Sequence, residues 1–358
     1  MHKGWSPAYV AGAHRIRALR RSFFLAFCLT AAAASAQPAD TALARRDATA
    51  WLNKIHRAAQ RENYNGTLIY QRGSVMHASR IQHYSDAAQN EYERLETLDG
   101  KPREVLREND VVHSLIPEAK LVVVEKQQAK DRFPALLATN KTDVLDLYDM
   151  RKLPDERLAG LECAVFALQP HDGARYAVRL WAEKNSGLLV RAQTLDENGK
   201  VLEQVAFSQV QIGVPSEKQR ILSAIRGSSG WSHYEVTYQP ANIADEGWSI
   251  NVPVKGFQKI REVRRPLGEL RGQQGDGRNQ TFEVQQVVYS DGLTGLSVFI
   301  EPVSEQRARR EGVASLGATQ VVVRRIADFW ITVVGEVPAA TVKQFAAAVE
   351  YHSPKVTH

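Results

Sequence analysis

Beyond residue 36 the chain carries eight histidines, His56, His77, His83, His113, His171, His233, His352 and His358, and a single cysteine, Cys163. A zinc site needs such ligands in close pairs that converge in space. No two of them stand at the spacing of a zinc-ligand pair, and near neighbours such as His77 and His83 are weak coincidences. A thiol nucleophile needs a neighbouring base or cation to hold its thiolate. Cys163 sits in the apolar run LECAVFAL, which raises a thiol's pKa, so it reads as a small buried hydrophobe. An activity built on Cys163 and a distant histidine stays open at this level. The sequence has no GxSxG, no HExxH and no P-loop. Gly275-Asp276-Gly277 lacks the following Lys-Ser/Thr and the strand-to-helix setting of a phosphate cradle, and reads as a polar hairpin loop. The expectation is a protein that is not an enzyme, with no cofactor and no metal.

The basic residues offer a second kind of chemistry. Lys255, Lys259, Arg261, Arg264 and Arg265 fall within 11 residues, Arg307, Arg309 and Arg310 form another cluster, and Arg324 with Arg325 a third. Residues 231–358 nevertheless hold 14 basic and 14 acidic side chains, so any cationic surface is local. Two readings stand: solvated strand faces, or a patch for an acidic peptide or a phosphorylated lipid headgroup. On the second reading the partner-binding candidates are Lys259, Arg261, Arg264, Arg265, Arg324 and Arg325.

The whole chain of 358 residues has a formal charge of +6, which by itself suggests a polyanionic partner. The N-terminus changes that reading. Residues 1–36 contain Lys3, Arg15, Arg17, Arg20 and Arg21 and no acidic residue, then the 12-residue apolar run FFLAFCLTAAAA, then Ala34-Ser35-Ala36. A basic start, a short apolar stretch and a small-residue site make a secretory signal peptide, with Gln37 as the mature start. The run is too short to span a hydrocarbon core of about 30 Å. Cys28 follows Phe27, where lipidation requires a small residue. Five of the 46 Lys and Arg residues are lost with this segment against none of the 40 Asp and Glu residues, leaving a charge of about +1. Nucleic acid is disfavoured. With Cys163 alone remaining, no intrachain disulfide is possible and stability must come from a core. At 44% hydrophobic and 24% charged residues, a core is available, and disorder is excluded.

The elements that must position these residues are mostly strands. Residues 40–62 repeat apolar positions at helical spacing, with Trp51, Leu52 and Ile55 as the core face and Asn65-Gly66 as the stop. From 67 to 211 short alternating runs are punctuated by turn residues such as Arg72-Gly73, Asp99-Gly100 and Asn198-Gly199, an antiparallel meander of about ten strands. A short helix is expected near 142–149. Residues 213–230 read as a linker, with a short helix at 216–226 and the flexible run Gly227-Ser228-Ser229-Gly230. A smaller β unit begins at Trp231 and ends in a helix over 338–351, with Val342, Phe345, Ala346 and Val349 on one face.

Two stretches carry a family likeness: WLNKIHRAAQRENYNGTLIYQRG with the meander RLAGLECAVFALQPHDGARYAVRLWAEKNSGLLVRAQTLDENGKVLEQVAFSQVQIG, and GFQKIREVRRPL, VVYSDGLTGLSVFIEP and GATQVVVRRIADFWITVVGEVPAATVKQFAAAVEY. From about Trp51 to Tyr351 the chain resembles the RseB/MucB proteins, periplasmic negative regulators of an envelope-stress sigma factor. The resemblance implies a mainly β, α+β architecture: a large half-barrel antiparallel sheet covered by helices, lipoprotein-carrier-like, over 37–212, and a smaller antiparallel β domain with a C-terminal helix over 231–358. It implies a soluble periplasmic protein whose smaller domain holds the periplasmic part of a membrane-anchored anti-sigma factor and shields it from proteolysis. Acyl lipid or lipopolysaccharide in the large domain would release it. Leu68, Tyr70, Val75, Met76, Ile81 and Tyr84 are the candidate lipid-cleft residues. The competing reading is a periplasmic lipid or lipoprotein carrier. Whether two copies pair is open from sequence.

Overall fold

A computed structural model describes residues 41–126, 144–269, 280–304 and 309–352. The signal peptide, the Gly-rich loop at 271–279, Thr142, Asp143 and Arg307 lie outside the described residues.

The first part of the chain forms one large sheet. After β1 (Thr41–Ala42) and the helix α1 (Arg45–Arg61) come β2 (Tyr64–Arg72), β3 (Val75–Ser85), β4 (Glu91–Thr97), β5 (Glu104–Glu108), β6 (Val111–Ile116) and β7 (Leu121–Lys126). These are followed by β8 (Tyr148–Leu158), β9 (Leu161–Pro170), β10 (Ala177–Glu183), β11 (Leu189–Leu195) and β12 (Val201–Ile212). Then α2 (Lys218–Gly227) leads into β13 (Ser232–Val236). The 13 strands lie in the order β1-β8-β9-β10-β11-β12-β2-β3-β4-β5-β6-β7-β13. Two meanders are thus joined where β12 returns to pair with β2. All the pairings are antiparallel except the last, where β13 runs parallel to β7.

The second sheet has seven strands: β14 (Gln239–Pro240), β16 (Gln258–Glu269), β17 (Gln280–Ser290), β18 (Gly295–Pro302), β19 (Gly312–Leu316), β20 (Thr319–Ile326) and β21 (Phe329–Gly335), ordered β14-β16-β17-β18-β21-β20-β19. The helix α3 (Ala339–Ala347) packs on it, and β15 (Trp248–Ile250) pairs with β22 (Val349–Tyr351). Val287, Val298, Ile331 and Val333 alternate inward along their strands and meet Val342 and Phe345 of α3, all fully shut off from solvent.

The large sheet carries a helix on each face. Residues opposite each other in register share a face, and neighbours along a strand do not. Val205 faces Tyr70, Leu68 faces Ser79 and Gly66 faces Ile81, so these side chains share the face that α1 covers. There Ile55 is buried and Trp51 lies 4.8 Å from the Phe166 ring, while Trp51 and Leu52 stay half-buried. Tyr84, Tyr92, Leu106 and Leu115 point the other way and receive Ile221 of α2.

Several local expectations are corrected. Asn65-Gly66 is no turn; both residues lie inside β2, and α1 stops at Arg61. Gly66 is required because an added Cβ would stand 2.5 Å from the Gln209 carbonyl and 2.8 Å from the Phe207 ring. Helical structure near 142–149 is a single 3-10 turn, Val144–Asp146, and the following residues form β8, whose Pro154 sits where the pairing with β9 slips. The last helix ends at Ala347, and Val349 and Tyr351 continue as β22. The run 232–240 crosses between sheets: its first half pairs with β7 and its second half with β16.

Candidate functional site

The two sheets enclose a cavity of about 510 Å³. Its floor is the α1-side face of the large sheet beyond the end of the helix packing, where Leu68, Tyr70, Val178, Ala192 and Val205 stand side by side. Tyr148 and Tyr176 flank this floor, and Leu293, Thr294 and Glu336 close it from the small sheet. Neither sheet contains this site alone. Apolar floor residues and aromatic sides give it the chemistry to hold a hydrocarbon chain.

One side of the cavity is polar. Glu203 on β12 is nearly buried, and Arg72, opposite it on β2, places its Nε 2.9 Å from the Glu203 carboxylate. The same Nε donates to the Tyr70 hydroxyl at 2.8 Å, and that hydroxyl donates to Glu203 at 3.1 Å. The remaining partner comes from the small sheet: the Ala318 N–H donates to Glu203 at 3.1 Å. Burial, and then the charge of Glu203, push the Tyr70 hydroxyl up to about 12. A buried carboxylate is tolerated here because an arginine and two donors converge on it.

A groove of about 690 Å³ lies where the chain crosses from β13 to β14, lined by Val111, Val124, Tyr238, Ile260 and Arg261 among others. The guanidinium groups of Arg261 and Arg265 lie 5.5 Å and 5.1 Å from the Tyr238 ring.

The cleft candidates are divided by the pleat. Leu68 and Tyr70 line the cavity. Ile81 shares their face but is buried in the core beside Tyr64 and Leu95. Tyr84 points to the opposite face, under α2. Val75 and Met76, at the start of β3 beside the turn from β2, are 47% and 59% exposed. Strand alternation in β2 marks Leu68 and Tyr70, but Val178, Ala192 and Val205 reach the site only through the β12–β2 pairing, and Leu293, Thr294 and Glu336 only through docking of the second sheet.

The basic candidates do not form one patch. Lys259 pairs with Glu262 and Arg264 with Glu246. Arg265 reaches Glu125 of β7 at 4.0 Å. Arg324 donates to the Ala346 carbonyl at 2.8 Å, and Arg325 lies 3.4 Å from Asp328. Alternation sets Arg261 and Arg265 on one face and Arg264 on the other, and three strands separate β16 from β20.

Among the described residues, no group of three or more His, Cys, Asp or Glu side chains is arranged to hold a metal. Cys163 is wholly buried, and burial, followed by Glu183, pushes its thiol up to about 11.

Comparison with known proteins covers both sheets. Residues 47–225 match the MucB/RseB N-terminal domain and residues 242–350 the MucB/RseB C-terminal domain. The chain is 28% identical over 318 residues to the sigma factor AlgU regulatory protein MucB of Pseudomonas aeruginosa, covering 85% of this chain and 90% of that protein. It is 26% identical over 329 residues to the sigma-E factor regulatory protein RseB of Escherichia coli K12, covering 90% and 94%. The structure resembles MucB in the Pseudomonas aeruginosa MucA/MucB complex, with a TM-score of 0.63, 26% identity and coverage of 86% of this chain and 99% of that one.

Proposed function

This chain belongs to the MucB/RseB family, and from that premise we propose that it is a periplasmic negative regulator of an envelope-stress sigma factor. It binds the periplasmic part of a membrane-anchored anti-sigma factor and shields that segment from regulated proteolysis. An acyl lipid or lipopolysaccharide chain entering the cavity releases it. The observation that carries this reading is the shared cavity: its floor belongs to the large sheet and its closing residues Leu293, Thr294 and Glu336 to the small one. A ligand there bears on the arrangement of both halves at once, which is what a ligand-released binding protein requires. The likeness to MucB, whose structure was solved with MucA, supplies the kind of partner.

The alternative, a periplasmic lipid or lipoprotein carrier, would use the same floor but has no need of a second sheet across it. The groove beside Arg261 and Tyr238 is the proposed partner contact, with Arg261 and Arg265 the candidates that border it. Pull-down from membranes, with and without lipopolysaccharide, tests the reading. Co-purification of a single-span membrane protein, lost on addition of lipopolysaccharide, is expected. Stoichiometric lipoprotein cargo in place of that protein would favour carriage instead.

A further inference from the structure

The turn joining β19 to β20 ends on the wall of the cavity. Gly317, at its tip, has φ of +60°, and a Cβ there would lie 2.5 Å from Cγ of Arg72 and 2.7 Å from the Glu203 carboxylate. Only glycine lets the tip come this close. The next residue, Ala318, is fully buried and donates its N–H to Glu203. Gln320 Nε2 donates to the Tyr176 hydroxyl at 3.4 Å, a longer and weaker contact. Arg72, Glu203 and Tyr176 are all cavity-lining residues. The tip therefore grips the large sheet through the same side chains that a ligand would touch.

The two strands of the hairpin differ in support: β20 lies between β21 and β19 and packs on α3, whereas β19 is the outer strand. β19 is the edge strand of its sheet and pairs with β20, and all five of its residues are exposed, Val313 by 57% and Leu316 by 53%. Another junction between the sheets is of a different kind. There Arg175 and Asp291 are buried together and supported by Tyr148.

We propose that the 316–319 tip is the element that reports cavity occupancy, Glu203 being its positioning residue. An apolar chain entering the cavity turns Arg72 and Glu203 aside. The Ala318 N–H loses its acceptor, the tip detaches, and β19 loosens while the Arg175–Asp291 junction holds. This rests on the cavity being the acyl-ligand site, as proposed above.

Hydrogen exchange by mass spectrometry on the full mature chain tests it, with 1-lauroylglycerol as the probe and calorimetry as an independent measure of binding. With probe bound, the 312–320 segment is expected to exchange at least about tenfold faster, the change that follows loss of one charge-assisted hydrogen bond. Residues 329–335 should be unchanged. Binding without any change in 312–320 overturns the proposal and leaves the cavity reading standing. No binding by calorimetry overturns both. Gly317→Val, which fills the space against Arg72, should give the fast exchange without probe, and Glu203→Gln, which keeps an acceptor but drops the charge, a smaller increase. Wild-type exchange in both variants would also sink the proposal.

Discussion

Arg175 and Asp291 meet across the two sheets at 2.6 Å, and neither side chain is open to solvent. Arg175 comes from the loop between β9 and β10, Asp291 from the turn between β17 and β18. Each is over-determined: Arg175 also reaches Asp172 and the Lys255 carbonyl and lies 5.0 Å from the Phe257 ring, while Asp291 accepts the Tyr148 hydroxyl at 3.1 Å and the N–H groups of Leu293 and Thr294. Removing one member strands a charge. Arg175→Met is expected to cost about 3–5 kcal/mol in urea unfolding, and Arg175→Met with Asp291→Asn, which removes the stranded charge but keeps an acceptor for Tyr148, less. A single-variant loss below about 1 kcal/mol would mean that water reaches the pair in solution.

The helix α2 is a second anchor. Ile221 is fully buried among Tyr84, Tyr92 and Leu106 on the face opposite α1. Ile221→Ala should lower stability by about 2–5 kcal/mol, read as a shift of the denaturation midpoint. A shift near zero would make 218–227 a solvated tether rather than part of the fold.

Cys163 should behave as packing, not chemistry. With its thiol pushed up to about 11 by burial and by Glu183, it is expected to resist alkylation at neutral pH in the native protein and to react at an ordinary rate once unfolded. Cys163→Ala should leave partner binding as it was. Fast native labelling would revive the thiol as a reactive group.

Tyr70 gives the stability a pH dependence in alkali. The folded chain holds its proton more tightly than the unfolded chain, whose tyrosines titrate near about pH 10. The contribution is therefore whole below about pH 10 and is lost as pH rises towards the folded value of about 12. Urea midpoints measured across this window should fall with pH, and less steeply for Tyr70→Phe. Parallel slopes for the two proteins would show that the hydroxyl is solvated in the cavity wall.

Arg261 and Arg265 share Tyr238 but separate two effects. Arg265 also reaches Glu125 on the large sheet, so Arg265→Glu should weaken the contact between sheets as well as the groove. Arg261→Glu should weaken association with the anti-sigma segment and flatten its salt dependence without lowering the unfolding midpoint. Unchanged affinity at low salt would assign Arg261 to the solvated surface.

The architecture was legible in the sequence to the extent that local rules govern it. Alternation and Asn-Gly or Asp-Gly turns mark most of the strands, and the spacing of Ile55 with Trp51 marks α1. Local rules fail where a distant neighbour decides. Gly66 reads as a turn until Phe207 is laid across it. β8 hides behind Pro154 because an irregular pairing accommodates the proline. The cavity itself is almost illegible, since Leu68 and Ala192 become neighbours only when β12 closes back on β2. Glu203 and Gly317 belong together through a docking event that leaves no periodic trace in either strand.

The crossing of residues 232–240 has a consequence for any shortened form of this protein. β7 is Val-rich, and its free side is covered by β13, whose outward residues include the exposed His233 and Glu235. A chain ending near residue 225, with every strand of the first meanders intact, would present Val122, Val123 and Val124 along a raw edge. Such an edge recruits like edges, so the isolated first half should self-associate side by side. The second half of the chain thus begins by capping the first against polymerisation.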